Sequence, residues 1–440
     1  MANTYLTRTI GSATGTTKGT FSCWVKRSGL TDGRMFSSWG SGTSQFWIIF
    51  SSSDTISIAD YDGSYNLQYV TNRLFRDTSS WYAITVEIDT TLATASDRVK
   101  LYVNGVQETS FATSTAPSQN QVLNFSNSGD SHRVGVRDGD EYFDGLMSQV
   151  IFVDGTAYAA STFGSTDSTS GEWKPNANPT VSYGNNGFKL TFEDTSNLGD
   201  DTSGNTNDFT MSGTGTSTLD CPSNNFATLN PLDVSRLANT DNTFSNGNLT
   251  VTDGSSNYLL TQSTLAATTG KFYWEVKINA TTSTSVSGVG VCDFDNFLRD
   301  DGAANTAYGW IYAPDGDKRH NGTATAYGDT YAANDIIGIA LDMTNGFLYF
   351  SKNGTWQNSG NPESGASGTN AAYGSISGTI GSHAYDGSST QTHEYSFNFG
   401  NGYFGTTAVT SAGTGASTPG TFEYNVPNGY QPLTTKGLNT

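Results

Sequence analysis

Asp335-Ile-Ile-Gly-Ile-Ala-Leu-Asp342, followed after a short break by Phe347-Leu-Tyr-Phe-Ser-Lys-Asn-Gly354, decides the fold. Ile337, Ile339 and Leu341 fall on one face of an extended strand, and Leu348 and Phe350 on one face of the next. Asn353-Gly354 marks a tight turn, because both positions tolerate the positive φ that a type I′ hairpin needs. The pattern occurs earlier as well. Trp81-Tyr-Ala-Ile-Thr-Val-Glu-Ile-Asp89 turns Tyr82, Ile84, Val86 and Ile88 inward, and Val99-Lys-Leu-Tyr-Val-Asn-Gly105 reaches its own Asn-Gly tip. Two sandwich modules, each built on such a strand pair, are expected.

The totals agree. A chain of 440 residues suits two β domains with ample core. Hydrophobic residues make up 35% and charged residues 14%, and 50 glycines fill part of the difference. Aromatics at 12% argue against disorder, since disordered chains are poor in them. Tyr, Phe, Val, Ile and Thr between many turn residues read as nearly all-β. With 40 acidic and 21 basic residues the formal charge is −19, and no basic run exceeds a pair such as Lys318-Arg319. A phosphate-tracking groove has nothing to be made from, so no nucleic-acid partner is expected.

Cys23, Cys221 and Cys292 are odd in number and far apart, which gives neither a disulfide framework nor a metal knuckle. The opening Met-Ala-Asn-Thr-Tyr-Leu lacks the charged and apolar regions of a secretory signal, and no apolar run is long enough to span a bilayer. If the protein works outside a cell, something other than the secretory route is expected to take it there, and no membrane insertion is expected.

Further strands are expected at Thr20–Lys26, Phe46–Phe50, Ile56–Ile58, Leu67–Tyr69, His132–Val136, Phe143–Val153 and Gly187–Glu193, with a short helix at Thr156–Phe163. Gly19-Thr-Phe-Ser-Cys-Trp-Val-Lys-Arg-Ser28, Val99-Lys-Leu-Tyr-Val-Asn-Gly-Val106 and Phe143-Asp-Gly-Leu-Met-Ser-Gln-Val-Ile-Phe152 resemble, in order, three strands of the laminin-G-like or concanavalin A-type jelly roll. The second half resembles the SPRY domain. The resemblance lies in Gly270-Lys-Phe-Tyr-Trp-Glu-Val-Lys-Ile278, Ser287-Gly-Val-Gly-Val-Cys292, the opening strand pair and Tyr395-Ser-Phe-Asn-Phe-Gly400. The expected fold class is all-β, two jelly-roll-like β-sandwich domains joined by an ordered linker. The expected boundaries are 1–215 for the laminin-G-like domain, 216–243 for the linker, 244–405 for the SPRY-like domain and 406–440 for a C-terminal extension. The whole order, ending in Val426-Pro-Asn-Gly-Tyr430, resembles structural proteins of tailed bacteriophages, especially marine ones.

Catalysis needs testing because the jelly-roll superfamily includes glucanases. Their strand carries Glu-x-Asp-x-(x)-Glu, acid and nucleophile on one face. Glu87-Ile-Asp89 begins such a pattern, but Thr91 and Leu92 stand where the last carboxylate belongs. His132, His320, His383 and His393 form no zinc motif, and there is no nucleophile elbow or P-loop. No enzyme activity is expected. Acidic loops at Asp138–Asp144, Asp194–Asp208 and Asp293–Asp301 have the Asp/Asn/Gly composition of calcium loops, and Asp200, Asp201 and Asp208 are the candidate ligands. A plain Asx-turn loop has the same composition.

Sugar binding would use aromatic platforms beside Asn and Asp. Trp39, Trp47, Tyr61 and Tyr65 are candidates in the first module. In the second, Trp310, Tyr312, Tyr327 and Tyr331 surround Asp315-Gly-Asp-Lys-Arg-His320, where SPRY domains present binding loops. The ligand-binding candidates are therefore Trp310, Tyr312, Asp315, Tyr331, Trp39 and Tyr61, with function placed at the sandwich rims, although most aromatics in a sandwich are core and core packing is the favoured reading for any single one of them. The resemblance implies a non-enzymatic virion protein, on tail or head, binding host cell-surface glycans, in several copies among other virion proteins. A purely structural decoration or adaptor protein is the alternative, and a polysaccharide-degrading enzyme the third reading.

Overall fold

The computed structural model of the chain describes residues 3–40, 43–232, 242–253, 259–281, 287–296, 305–386, 393–415 and 419–439. The chain divides into two compact units, Met1–Ser217 and Thr218–Thr440. Each is a sandwich of antiparallel sheets, as the alternation predicted. Among the described residues no helix is long and apolar enough to cross a membrane.

The first unit faces an eight-stranded sheet against a six-stranded one. Across the first sheet run Phe111–Thr115, Tyr65–Thr71, Ile56–Tyr61, Gln45–Phe50, Gly33–Trp39, Ser131–Val134, Tyr5–Thr9 and Thr210–Ser212. The second contains Phe188–Leu190, Gly145–Asp154, Lys18–Arg27, Tyr82–Asp89, Val99–Val103 and Val106–Glu108. Phe36, Phe46, Ile48 and Ile58 from one inner face meet Phe21, Val25, Ile84 and Val86 from the other in a single core. At the tip of the Val99–Val103 hairpin Asn104 and Gly105 hold φ of 49° and 75°, and a Cβ on Gly105 would strike the Trp173 ring. Only glycine fits there. The helix expected at Thr156–Phe163 shrinks to one 3-10 turn, Ala160–Thr162.

The second unit pairs another eight-stranded sheet, centred on Lys271–Ala280, with a six-stranded one, centred on Ser287–Asp293. Ile336–Asp342 pairs with Phe347–Lys352 in the register Ile337↔Lys352 to Asp342↔Phe347. Ile337, Ile339, Leu341, Leu348 and Phe350 all enter the main core. Asn353 and Gly354 hold φ of 47° and 79° and turn the chain into the short strand Thr355–Trp356.

Both segments set apart as linker and extension build this unit. Phe226, Ala227 and Leu229 are buried, and the backbone from Ala227 to Asn230 bonds to Leu433, Asn248, Thr264 and Gln262. The C-terminal stretch covers the outward face of the central strand, where Phe422, Val426 and Tyr430 pack on Tyr273, Ala340 and Tyr349. Those three would otherwise face water, and burying apolar area drives the closure. Gln431–Pro432 completes it by pairing in parallel with Phe272–Tyr273.

Candidate functional site

The outward face of the eight-stranded sheet in the first unit carries a row of aromatic and amide side chains. Residues directly opposite on neighbouring strands share a face, and Trp39 lies opposite Gln45, Gln45 opposite Tyr61, and Tyr61 opposite Tyr65. Four strands about 4.8 Å apart make this row about 14 Å long. Trp47 stands in the next row, opposite Ser37 and Ala59. The Tyr65 ring packs edge-on to both Tyr61 (5.1 Å) and Trp47 (6.2 Å), yet stays 45% exposed. Trp39, Trp47 and Tyr61 are half-buried.

Two arginines lie against the tryptophan rings. The Arg34 guanidinium lies 4.8 Å from the Trp47 ring centre, and that of Arg137 lies 5.2 Å from Trp39. Glu141 clamps both: its Oε2 accepts from Arg34 Nε at 2.7 Å, and its Oε1 accepts from Arg137 Nη1 at 3.3 Å. Glu141 does so from a left-handed backbone, φ 52°, a strained state that persists where the surroundings impose it. Burial holds the Arg34 guanidinium below its ordinary pKa, with Glu141 acting against that shift. Arg34 Nη1 and Gln45 Oε1 are buried with no hydrogen-bond partner among the described residues. Rigid aromatic faces beside fixed polar groups are what sugar rings and their hydroxyls require.

Trp39 and Tyr61 thus stand on one sheet face, two strands apart with Gln45 between them. The row lies at strand ends, where Trp39 and Tyr61 close their strands and Gln45 and Tyr65 open theirs, so it borders the rim, while Trp47 in mid-strand extends it onto the sheet face. The supporting Arg34, Arg137 and Glu141 were not foreseen, because no local pattern links positions about a hundred residues apart.

The candidates in the second unit are corrected. Trp310, Tyr312 and Tyr331 are core residues, 9%, 0% and 4% exposed, and cannot stack on a ligand. Trp310 and Tyr312 are two apart on the strand Gly309–Tyr312 and share its inner face. Tyr331 donates its hydroxyl to the Tyr312 carbonyl, and the His320 ring stacks on Trp310. Asp315 is half-buried and ion-paired to Arg319. A shallow depression of about 500 Å³ opens nearby instead, between Tyr327–Asp329 and Thr355–Ser359, beside the half-exposed Trp356.

The calcium loop is corrected too. Asp201 Oδ1 accepts from the Lys189 and Ser203 amides, and its Oδ2 from the Ser203 hydroxyl and the Asn207 amide. Asp208 Oδ1 accepts from the Asp201 amide. N–H and O–H groups already occupy the lone pairs that a cation needs, so the residues present do not fit calcium. Asp200 brings the set no further, as no group of three or more His, Cys, Asp or Glu could hold a metal among the described residues. Of the third acidic loop, Asp300 and Asp301 lie outside those residues. Calcium or EDTA is expected to leave the melting temperature of the first unit unchanged in calorimetry. An upward shift that saturates with calcium would show a site.

Glu87 and Asp89 face outward on the six-stranded sheet. Glu87 takes Lys100 at 3.5 Å and the Tyr102 hydroxyl at 3.1 Å, and Asp89 takes Lys18 at 2.8 Å.

Residues 2–161 match the family described as the concanavalin A-like lectin/glucanases superfamily, and residues 271–371 match the SPRY domain. Similar solved structures include the SPRY domain of human HERC1, at 19% identity over 36% of this chain and 91% of that one, with a TM-score of 0.29. Another is a human SPRY domain, at 14% identity over 34% and 90%, TM-score 0.26. Stonustoxin is a third, at 16% identity over 40% of this chain and 27% of that one, TM-score 0.29. By the two family matches the chain carries a laminin-G or concanavalin A-like domain within its first part and a SPRY domain within its second, two all-β types that often bind carbohydrate or protein.

Proposed function

We propose that this chain is a non-enzymatic recognition protein that binds host-surface carbohydrate through the aromatic face of its first unit, displayed on a tailed-phage particle as a tail fibre, tip or head-decoration protein. The observation that carries the binding reading is the row Trp39–Gln45–Tyr61–Tyr65 with Trp47 behind it, arginine-backed and open at Tyr65. The order of the two domains and the chain's ending support the virion placement by resemblance. The ion pairing of Glu87 and Asp89 supports the non-enzymatic reading, since a glycosidase needs two carboxylates free to exchange protons with substrate. Several copies on one particle would turn weak single contacts into avidity.

A glycan array and a host-cell retention assay test this. Trp47→Ala and Tyr65→Ala are expected to weaken binding roughly 10- to 100-fold each, the loss typical of a central aromatic contact. No glycan bound and no cell retention, with tight binding to emptied capsids, would establish the scaffold reading instead. Release of oligosaccharide from host polysaccharide would establish an enzyme.

A further inference from the structure

A second recessed surface in the first unit lies outside the family-matched residues 2–161 and away from the aromatic row in sequence. It is an open depression of about 600 Å³ walled by residues 181–185 and by Ser203 and Asn205. None of its lining residues is charged. Val181 is the one aliphatic side chain among them, and the rest present hydroxyls, amides, the Tyr183 phenol and the backbone of Gly184.

The walls are fixed from behind. Asp154, 1% exposed, accepts from the amides of Thr14, Gly15 and Asn186. Asp201 holds Ser203 and Asn207 as described above. Asn205 Nδ2 bolts one wall to the other, donating to the carbonyls of Gly184 at 2.6 Å and Gly187 at 2.9 Å. Asn185 Nδ2 donates to the Ser12 carbonyl. Thr206, next to Asn205, holds φ at 58°, a left-handed state that β-branched residues rarely adopt. The Tyr183 ring rests against the cluster of Ile151, Val153 and Phe163.

With every anchoring donor used inward, four oxygens of the lining are left over. Ser182 Oγ, Tyr183 Oη, Asn185 Oδ1 and Asn205 Oδ1 make no hydrogen bond among the described residues. An anion would meet no cation here, and an apolar side chain would bury little against Val181. A ligand with several hydroxyls, each donor and acceptor at once, matches this set of open hydroxyl and carbonyl oxygens.

We propose that this depression is a carbohydrate site distinct from the aromatic face, taking a neutral hexose residue by its hydroxyls. Saturation-transfer NMR with the methyl glycosides of galactose, glucose and mannose tests it, with glucuronate as the charged comparison. At least one neutral glycoside is expected to receive transfer at roughly millimolar affinity, and glucuronate none. The double variant Ser182→Ala/Tyr183→Phe removes two of the free hydroxyls without touching the anchoring bonds, and is expected to weaken that signal at least 10-fold. Made in the Trp47→Ala background, which silences the aromatic face, the comparison gives loss of the depression its own readout. No transfer from any neutral glycoside would overturn the proposal. So would a signal that survives the double variant, or one that only Trp47→Ala removes.

Discussion

Glu275→Ala is expected to destabilise the second unit by about 3–5 kcal/mol, the scale for stripping the partner from buried, hydrogen-bonded groups. Glu275 lies mid-strand in Lys271–Ala280 and is 0% exposed. Its Oε1 accepts from the Tyr273 hydroxyl at 3.0 Å and the Tyr424 amide at 2.9 Å. Its Oε2 accepts from the Glu423 amide at 2.9 Å and the Asn398 side chain at 3.4 Å. One carboxylate therefore ties the C-terminal stretch to the central strand, and alanine would leave two backbone N–H groups unsatisfied in a dry site. Glu275→Gln should do little better, because its amide points N–H at N–H. Urea unfolding measures the loss, and protease cutting within 406–430 should appear before the core opens. A deficit below about 1 kcal/mol would mean that the apolar contacts of Phe422, Val426 and Tyr430 hold the segment unaided.

The same carboxylate carries a pH signature. Burial pushes it up to about 7, with the hydrogen-bond donors pulling the other way. A folded pKa above the unfolded value contributes stability that is full below the unfolded pKa and is lost as pH rises through 7. The deficit of Glu275→Ala should accordingly narrow toward alkaline pH.

Much of this architecture was legible beforehand because two-residue alternation is a local signal. Ile337/Ile339/Leu341 and Tyr82/Ile84/Val86/Ile88 face the cores as the pattern required. The same rule, applied to Trp310 and Tyr312, would have placed both in the core. Their nearness to a charged loop was the weaker guide. The C-terminal stretch has no period, so its role could be found only from the other side: Tyr273 and Tyr349 are apolar on a face that should be polar, and something must cover them. The Asp200–Asp208 loop shows the limit of composition. An Asx-turn clamp and a calcium cage share Asp, Asn, Ser and Gly, and what separates them is where the N–H groups point. The arginine-backed aromatic face joins Arg34 to Glu141 across 107 positions, a pairing fixed by sheet order that no local window contains.

Acid should destabilise the first unit through His132 by about 3 kcal/mol between pH 6.5 and pH 4. The ring is 0% exposed among Phe36, Phe152 and Phe188, with centroids 5.0, 4.9 and 6.1 Å away. Its Nε2–H donates to the Phe125 carbonyl at 2.7 Å, while Nδ1 has no partner among the described residues. Burial first, and Arg8 to a lesser degree, push its pKa from 6.5 down to about 4. A folded pKa below the unfolded one means that the unfolded chain binds the proton first, so stability is full above pH 6.5 and drains as pH falls toward 4. Asp60 in the same unit works oppositely. Burial raises its carboxyl to about 6, so its contribution grows on acidification and masks part of the histidine effect in the wild-type curve. The measurement must therefore be a difference. His132→Gln keeps an N–H for Phe125 but cannot titrate, and Asp60 cancels between the two proteins. The stability advantage of wild type over the variant, from urea unfolding at each pH, should shrink by about 3 kcal/mol from pH 6.5 to 4. A difference that stays flat would mean that the ring finds a proton acceptor or leaves its aromatic nest before it charges.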